Sequence, residues 1–562
     1  MTVAVLSWTA FVVLLGISVS AARPRRYSAP AQLQAARRAV RPWRNGAAIS
    51  SEFTSAAVCL GLAGLSSASG GWHPAGVAGG FVIVLALVVA PLRRSRTYTL
   101  PDFAEWRLGS VPLRCLTTML SLVIGMAFLV AQLHAAGVVV RLLTGMPAWA
   151  GWAALAAAGV AIALAGGTGS VTSVQASQYW LKLVIFVGVG VVLWAVWWHD
   201  LPSGDVTAFV AGLPDGLWEG AVGTSYGAAD SSAAPAHAPA PAHAPAPAHA
   251  PAPAHAPAPA HAPAPDLAPA PQGGGDGMAG LLPGALMVLL ACALGTMGLP
   301  HVIVRLHVAL DGHEARRSIV AAQAMLALFC VVPPLYGVLS AVVARGGVMD
   351  EIVLLLPARM LPGPAGDLLT GLLAAGAFVA FLATACGVLS AVGGAISACV
   401  SRATGASVFR GAVLAVALTA LALTMATDPS GSMPLMMLGF SLSAATLCPL
   451  LLLGIWWRRL TDAGVLAGAV AGGGVTAALV VCEQTGLNLG VPTSHPASVA
   501  VPLAFAVMVV ISLVTPGRVP GGVGRMMARM HLPEPSERAG GHRSSPGADR
   551  SPSGRVPHTD DY

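Results

Sequence analysis

The stretch Gly46-Ala-Ala-Ile-Ser-Ser-Glu-Phe-Thr-Ser-Ala-Ala57 sets one acidic and four hydroxyl side chains near the start of an apolar segment. A charge at the centre of a bilayer costs about 2.5–3.5 kcal/mol, so an acidic residue inside a membrane span is a candidate for function. The stretch is poor in strong helix formers, and an interrupted helix exposes carbonyls and hydroxyls that can hold a cation. We therefore predict a broken helix at Glu52; the alternative places this residue at the lipid interface near Arg44.

The composition indicates that the solvent of this chain is lipid. Of its 562 residues, 56% are hydrophobic and 9% are charged, with a mean hydropathy of +0.74. Soluble domains carry about 25% charged residues, so a soluble enzyme, a nucleic-acid-binding protein and a secreted disulfide scaffold are excluded. The sequence has no His-Glu-x-x-His, Walker or paired membrane aspartate motif. We expect no enzymatic activity, no cofactor, no metal beyond a coupling cation and no obligate protein partner.

Thirteen segments are long and apolar enough to cross a bilayer. A hydrocarbon core of about 30 Å needs roughly 20 helical residues at 1.5 Å each. Segments of this size lie near 3–21, 46–66, 74–92, 115–140, 147–166, 178–198, 279–300, 319–343, 366–399, 409–427, 433–457, 462–482 and 497–515. The chain is therefore predicted to be an all-α polytopic membrane protein with about 13 transmembrane helices.

The arginines predict the orientation of these spans, because cytoplasmic connections are enriched in Lys and Arg. Alternate connections hold Arg23, Arg25, Arg26, Arg37, Arg38, Arg41, Arg44, Arg93, Arg94, Arg96, Arg305, Arg316, Arg317, Arg402, Arg410, Arg458 and Arg459. Segment 3–21 has arginines after it and none before it, which predicts a retained anchor rather than a cleaved signal. We expect a multi-pass protein of the cell membrane with its N-terminus outside and its C-terminus cytoplasmic, and Lys182 at the edge of a span.

Two segments lie outside the apolar body. Residues 199–278 contain the repeat Ala-His-Ala-Pro-Ala-Pro, and proline at this density favours an extended coil over a helix. We expect a disordered extracytoplasmic loop there, and a disordered cytoplasmic tail over 516–562, which is rich in Gly, Pro, Ser and Arg. The loop separates six N-terminal spans within 1–198 from seven C-terminal spans within 279–515.

A second interruption lies at Gly295-Thr-Met-Gly-Leu-Pro-His301. Two glycines and a proline within seven residues break a helix inside the bilayer, and the N–H groups freed there can bind a carboxylate. A plain kink is the alternative. Two broken spans five apart in order, the second and the seventh, predict a transporter built from inverted repeats. Gln132, in the middle of the fourth span, is a candidate polar wall of its site.

Several motifs point to one known family. The most specific are Gly295-Thr-Met-Gly-Leu-Pro-His-Val-Ile-Val-Arg305 with Glu314-Ala-Arg-Arg-Ser318, and Gly454-Ile-Trp-Trp-Arg-Arg-Leu-Thr461. Tyr98-Thr-Leu-Pro-Asp102, with Trp106-Arg107-Leu108, and the broken second span add to them. Together they resemble the sodium:solute symporters, and within these the cation–acetate (monocarboxylate) symporter branch, over residues 1–515 without the repeat loop.

The resemblance implies a five-plus-five inverted-repeat (leucine-transporter-like) core with two broken helices, and inward co-transport of a small anionic solute with a cation. The family's cation site is formed by the broken second span and the ninth span. Carried over residue by residue, its positions here are Ser51, Thr54, Ala380, Ala383 and Thr384. The residues expected to bind the solute or couple it to the cation are Glu52, Gln132, Thr296, Met297 and Gly298.

Some positions depart from the family pattern. Many relatives have two adjacent hydroxyl residues where this chain has Ala383 and Thr384, so one oxygen ligand is missing. The acetate branch usually has Asp where Glu52 stands and an acidic residue where Cys399 stands. The coupling ion is therefore Na⁺ or H⁺, with Glu52 as the proton carrier in the second case. Because an ionised acid repels a carboxylate, we predict that Glu52 is either protonated or paired with the cation.

The leading hypothesis is a secondary active symporter that couples inward movement of Na⁺ or H⁺ to uptake of a short-chain monocarboxylate such as acetate, propionate or pyruvate. Two alternatives stay open. One is a symporter of the same family for another small solute, such as proline, a sugar or a vitamin. The other is a membrane sensor that kept the fold and lost transport. The substrate rests on the resemblance alone, because a fold does not determine its function.

Overall fold

The structure is a computed structural model of the 562-residue chain. It describes Gly16 and residues 40–61, 79–200, 277–309, 311–343, 349–400, 406–427, 432–487 and 496–532. The predicted first span, nearly all of the repeat loop and the last thirty residues of the tail lie outside the described residues.

Helices make up most of the described chain. They are α1 Pro42–Phe53, α2 Val89–Arg94, α3 Leu100–Leu108, α4 Val111–Thr144, α5 Ala148–Asp200, α6 Gly277–Gly298, α7 Pro300–Leu306, α8 Gly312–Phe329, α9 Val332–Val343, α10 Met349–Met360, α11 Pro364–Val400, α12 Ala406–Ala426, α13 Ser432–Trp456, α14 Asp462–Thr485, α15 Ala497–Val514 and α16 Val523–His531. Two π-helical segments, Ala57–Gly61 and Val84–Val88, follow α1 and precede α2. The 53 residues of α5 would extend about 80 Å if straight, so this helix contains two spans, Ala148–Ala165 and Gly169–His199.

The described helices confirm an all-α polytopic membrane protein. They contain nine spans that are long and apolar enough to cross a membrane, of which two lie in α5 and one runs from α8 into α9. The number is ten if the bent pair α6–α7 counts as one span. The predicted number of thirteen is not confirmed, and segments 46–66 and 74–92 are only partly described. The 12 residues of α1 extend only about 18 Å, because this helix ends at a break.

The centre of the bundle is formed by α4, α11 and α13, which are buried along most of their length, whereas α8, α12, α14 and α15 expose most of theirs. α11 packs along α4 and α5, and α1 packs against α5 and α8. A Cβ on Gly46 of α1 would lie 2.7 Å from Ala321 Cβ and 2.9 Å from Ala322 N in α8. Only glycine allows this approach, which holds α1 in the middle of the bundle.

Two of the sequence motifs outside the spans contact each other. Thr99 begins α3 with a capping box: its Oγ1 accepts from the Asp102 N–H at 3.3 Å, and Asp102 Oδ2 accepts from the Thr99 N–H at 3.1 Å. At the other end of α3, the buried Arg107 donates to the carbonyls of Gly454 (2.8 Å) and Trp457 (3.0 Å). The motifs therefore fasten α3 to the end of α13.

Residues 516–532 differ from the disordered tail predicted for them. A 3-10 turn at Pro516–Arg518 leads to α16, in which Met527 and Met530 are buried. Arg94 Nη1 donates to the carbonyls of Met530 and His531, each at 3.3 Å. The chain after the last span is therefore docked on α2, and the prediction of disorder is corrected for these residues.

Candidate functional site

α1 breaks inside the bundle directly after Glu52. The helix ends at Phe53, and the Ser55 N–H bonds to the Phe53 carbonyl at 2.8 Å instead of the Ser51 carbonyl four residues back. Carbonyls in the last turn of a helix have no partner within it, so the Ser51 carbonyl is left for another donor. The interruption predicted for the second span is present in the structure.

Gln132 of α4 contacts the backbone on the C-terminal side of this break. Its Oε1 accepts from the Ala56 N–H at 3.0 Å, and its Nε2 lies 3.7 Å from Met436 Sδ on α13. An N–H group at the start of a new helical segment lacks a partner within it, and the amide of Gln132 supplies one. Gln132 is buried and supports the backbone of the broken helix. Its role as a polar wall of the solute site stays a prediction.

Glu52 is paired with an arginine of the second broken helix. Its Oε2 lies 3.2 Å from Arg305 Nε, and the two side chains are 1% and 2% exposed. The assignment of Arg305 to a cytoplasmic connection is therefore wrong. α6 and α7 meet at an angle of 51° around Leu299, and the guanidinium at the end of α7 lies inside the bundle. A buried charge needs a partner, and Glu52 finds one within the chain.

Arg305 is the centre of a hydrogen-bond network that connects four helices. Its Nη1 donates to Thr172 Oγ1 at 2.7 Å and its Nη2 to Gln175 Oε1, both on α5. Its backbone carbonyl accepts from Asn45 Nδ2 of α1 at 3.1 Å. Gln175 Nε2 in turn donates to the Ala383 carbonyl of α11 at 2.7 Å. The ion pair is thus held in a buried network that joins α1 and α7 to α5 and α11.

The residues predicted for the cation site meet at the same place. All five are buried: Ser51, Thr54, Ala380, Ala383 and Thr384. Thr384 Oγ1 donates to the Glu52 carbonyl at 2.7 Å, which joins α11 to the break of α1. The same hydroxyl lies 3.5 Å from the Ala380 carbonyl one turn earlier. The structure therefore brings together the two helices that the family resemblance had paired.

Lys182 of α5 reaches this place as well. Its Nζ donates to the Ser51 carbonyl at 2.5 Å and to the Thr54 carbonyl at 2.9 Å. The residue is fully buried and lies within the span Gly169–His199. The assignment of Lys182 to the edge of a span is wrong, because its side chain ends at the break of α1.

The second interruption is present, and its predicted residues pack it into the bundle. Thr296 Oγ1 donates to the Cys292 carbonyl of its own helix at 2.7 Å. A Cβ on Gly298 would lie 2.6 Å from Ser443 Oγ of α13, and Met297 is buried. The role of Thr296, Met297 and Gly298 in binding the solute stays a prediction.

A pattern in the sequence could have pointed to the missed residues of α5. Thr172, Gln175, Tyr179 and Lys182 follow each other at intervals of three, four and three residues, which places them on one face of a helix. Polar and charged side chains inside a span are expensive and mark functional positions. Arg305 has no comparable pattern around it, because it resembles the orientation-setting arginines near the ends of other spans.

Comparison with known sequences gives matches over most of the chain. The sequence model of the sodium:solute symporter family matches residues 34–200 and 274–472. An uncharacterised symporter of Cupriavidus necator is 26% identical, over 85% of this chain and 86% of its own. A monocarboxylic acid transporter of Corynebacterium glutamicum is also 26% identical, over 82% of each chain.

Two solved structures share the fold. A Na⁺-coupled sialic acid symporter, substrate-bound and outward-open, gives a TM-score of 0.68 at 11% identity and covers 91% of this chain and 97% of its own. A nucleobase-cation-symport-1 family transporter in a closed conformation gives a TM-score of 0.51 at 13% identity, over 91% and 99%. Both are transporters with the leucine-transporter fold, so the predicted fold class is confirmed.

Proposed function

The chain belongs to the sodium:solute symporter family, and we propose that it takes up a short-chain monocarboxylate together with a cation. As a member it is a multi-pass membrane symporter of a small solute and not an enzyme. The anionic nature of the solute, the coupling ion, the location in the cell membrane and the outside position of the N-terminus are parts of the proposal.

The charge of the buried cluster at the first break carries this proposal. Lys182 and Arg305 are cationic and Glu52 is anionic, so these three side chains have one positive charge in excess when all are ionised. An uncompensated charge in a low-dielectric interior is unfavourable, and the carboxylate of a solute would offset it. The monocarboxylic acid transporter of C. glutamicum supports the same class of solute.

The Ser51 hydroxyl is a suitable contact for that carboxylate. Buried hydroxyls normally have a hydrogen-bond partner, yet Ser51 Oγ is buried and has none among the described residues. It stands at the break of α1, two residues before the helix ends. We infer that the solute lies there, between the breaks of α1 and α6–α7, with Gln132 as a polar wall and Thr296 on the far side.

The two broken helices supply the movement that a symporter needs. The pair of Glu52 and Arg305 joins α1 to α7, and Thr172 and Gln175 fasten it to α5. A ligand that binds one arrangement of such a cluster better shifts the population toward it. Binding of cation and solute would favour the arrangement that opens to the other side, as in transporters with inverted repeats.

Counterflow in proteoliposomes tests the choice of solute. Vesicles that hold the purified chain are loaded with unlabelled pyruvate, and the entry of radiolabelled pyruvate is followed. Pyruvate replaces acetate as the probe because neutral acetic acid crosses lipid unaided. We expect entry that acetate and propionate inhibit. Exchange of proline, a sugar or a vitamin, with none of pyruvate, would contradict the proposal.

Ser51→Ala tests the proposed carboxylate contact. A hydrogen bond to a charged group is worth about 1.5–3 kcal/mol, so the half-saturation concentration of pyruvate should rise roughly tenfold or more. The matched control is Ser177→Ala. The Ser177 hydroxyl of α5 donates to the Val174 carbonyl of its own helix at 2.7 Å, so its removal should leave the half-saturation concentration unchanged. Equal half-saturation in wild type and Ser51→Ala would remove Ser51 from the site.

A further inference from the structure

The position of Lys182 bears on the identity of the coupling ion. The chain has this single lysine, and its Nζ lies 2.5 Å from the Ser51 carbonyl and 2.9 Å from the Thr54 carbonyl. These are the two carbonyls of the broken helix that the family resemblance assigned to a coupling cation. An ammonium group has three N–H donors and no acceptor, so it satisfies both carbonyls as a cation would.

Two oxygens of α11 assigned to that cation also have hydrogen-bond partners in the protein. The Ala383 carbonyl accepts from Gln175 Nε2 at 2.7 Å. The Thr384 hydroxyl donates to the Glu52 carbonyl, also at 2.7 Å. The residue before Thr384 supplies no hydroxyl because it is alanine. The donor set of this site is therefore engaged by side chains of the chain itself.

A sodium ion does not fit beside Lys182. It would share the carbonyls of Ser51 and Thr54 with an ammonium group already in contact with both. Two like charges at such a distance repel strongly where the dielectric constant is low. The buried Arg305, paired with Glu52, adds a further positive charge to the same region.

We propose that the ammonium group of Lys182 takes the place of the coupling sodium ion in this chain, and that the proton on its Nζ is the ion that travels with the solute. Facing outward, the –NH₃⁺ group holds the carbonyls of the break and attracts the solute carboxylate. Facing the cytoplasm, it gives one proton to water and becomes –NH₂, and the carboxylate is no longer held. One proton and one monocarboxylate cross together, without net charge.

Several groups around Lys182 set the conditions for this proton transfer. The titratable groups that face it are Glu52 on α1, Cys59 in the π-helical segment and Cys386 on α11. Arg305 on α7 acts through its pair with Glu52. Glu52 is thereby a positioning residue, and the proton carrier is Lys182 rather than Glu52, the candidate suggested by the sequence.

Pyruvate uptake in proteoliposomes tests the coupling ion in the wild-type chain. Uptake is measured under an inward proton gradient in sodium chloride or in choline chloride of equal concentration. We expect the same rate in both salts, and accumulation of about tenfold for each unit of pH gradient. We also expect no change when a potassium diffusion potential is imposed. Uptake that requires sodium would overturn the proposal.

Binding of sodium can be measured without transport. A ligand that binds only the folded state raises its stability, so melting in detergent is compared in the two salts. Wild type should melt at the same temperature in both. Lys182→Ala frees the carbonyls of Ser51 and Thr54, and it should melt higher in sodium chloride and lose proton-driven uptake. A sodium-dependent rise in the wild type would overturn the proposal even if the variant does not fold.

Arg141→Ala is the control for removal of a cation, because Arg141 pairs with Glu351 at the surface. It should retain uptake and show no response to sodium. The inference rests on the proposed function for its solute only. If pyruvate does not exchange in counterflow, the proposed solute fails, whereas the sodium dependence of melting still decides whether Lys182 fills the cation site.

Discussion

At the scale of single residues, we predict that the buried pair of Glu52 and Arg305 affects both stability and transport. Glu52→Gln keeps the size of the side chain but removes its charge, and it leaves Arg305 buried without a carboxylate. Breaking a buried ion pair in this way costs about 3–5 kcal/mol. We expect the variant to melt at a lower temperature in detergent and to lose pyruvate counterflow.

A double-variant cycle checks that the two residues act as a pair. Glu52→Gln combined with Arg305→Gln should lose less stability than the sum of the two single losses. Arg141 and Glu351 form the matched control pair, since Arg141 is 53% exposed and an exposed pair is worth about 0–1 kcal/mol. Additive losses for Glu52 and Arg305 would contradict the assigned pairing.

Gly387 of α11 leaves room for the Glu52 carboxylate. A Cβ at this position would overlap Glu52 Oε1 and lie 2.8 Å from Gln175 Nε2. Overpacking of a tight interior costs about 1–3 kcal/mol, so Gly387→Ala should lower the melting temperature and displace Glu52 enough to impair uptake. In Gly188→Ala of α5, the added methyl meets no described atom within 4 Å and should change neither. Normal uptake by Gly387→Ala would show that Glu52 tolerates displacement.

The sequence indicated Glu52 as a candidate but not the partner that the structure gives it. An acidic residue in an apolar stretch is visible by its cost alone. Arg305 follows a proline-containing break, and only the direction of α7 after that break determines whether its side chain meets lipid headgroups or the protein interior. Lys182 was misplaced for a similar reason: the break of α1 predicts exposed carbonyls, but it does not show which side chain donates to them.

At the scale of elements, α16 shows that part of the tail belongs to the fold. Its Met527 and Met530 are buried against α2, and burial of one such side chain is worth about 1.5–3 kcal/mol. Truncation after Gly522 should therefore lower the melting temperature, whereas truncation after Leu532 should leave melting and uptake unchanged. Loss of uptake on truncation after Leu532 would contradict this boundary, because it would show that the last thirty residues are needed for transport.

The two breaks could be predicted from the sequence and α16 could not. Glycine, proline and clustered hydroxyl residues interrupt a helix wherever it is packed, so the breaks at Glu52 and Leu299 follow from composition. α16 has nine residues with Arg525 and Arg529 among them, and a short charged helix is stable only through its tertiary contacts. Those contacts, from Arg94 and the surface of α2, depend on the completed fold.

At the scale of the whole molecule, composition and span lengths were enough to predict an all-α membrane protein, and the two broken spans together with the family resemblance predicted a transporter. The sequence did not show where one helix ends and the next begins. The predicted spans 147–166 and 178–198 lie in the single helix α5, which continues from one to the other without interruption. Hydropathy measures how apolar a segment is, and it does not show whether a helix stops between two spans. The cluster of α1, α5, α7 and α11 depends on contacts between distant residues and needed the three-dimensional structure.

Proton-coupled uptake is tested most directly by gradient-driven accumulation of radiolabelled pyruvate in proteoliposomes. Protein-free vesicles are the blank. An inward proton gradient, with no sodium present, is predicted to raise internal pyruvate above the external concentration. The gain should vanish when the gradient is collapsed and in Lys182→Ala. Uptake that responds to neither a proton gradient nor a sodium gradient would contradict symport itself.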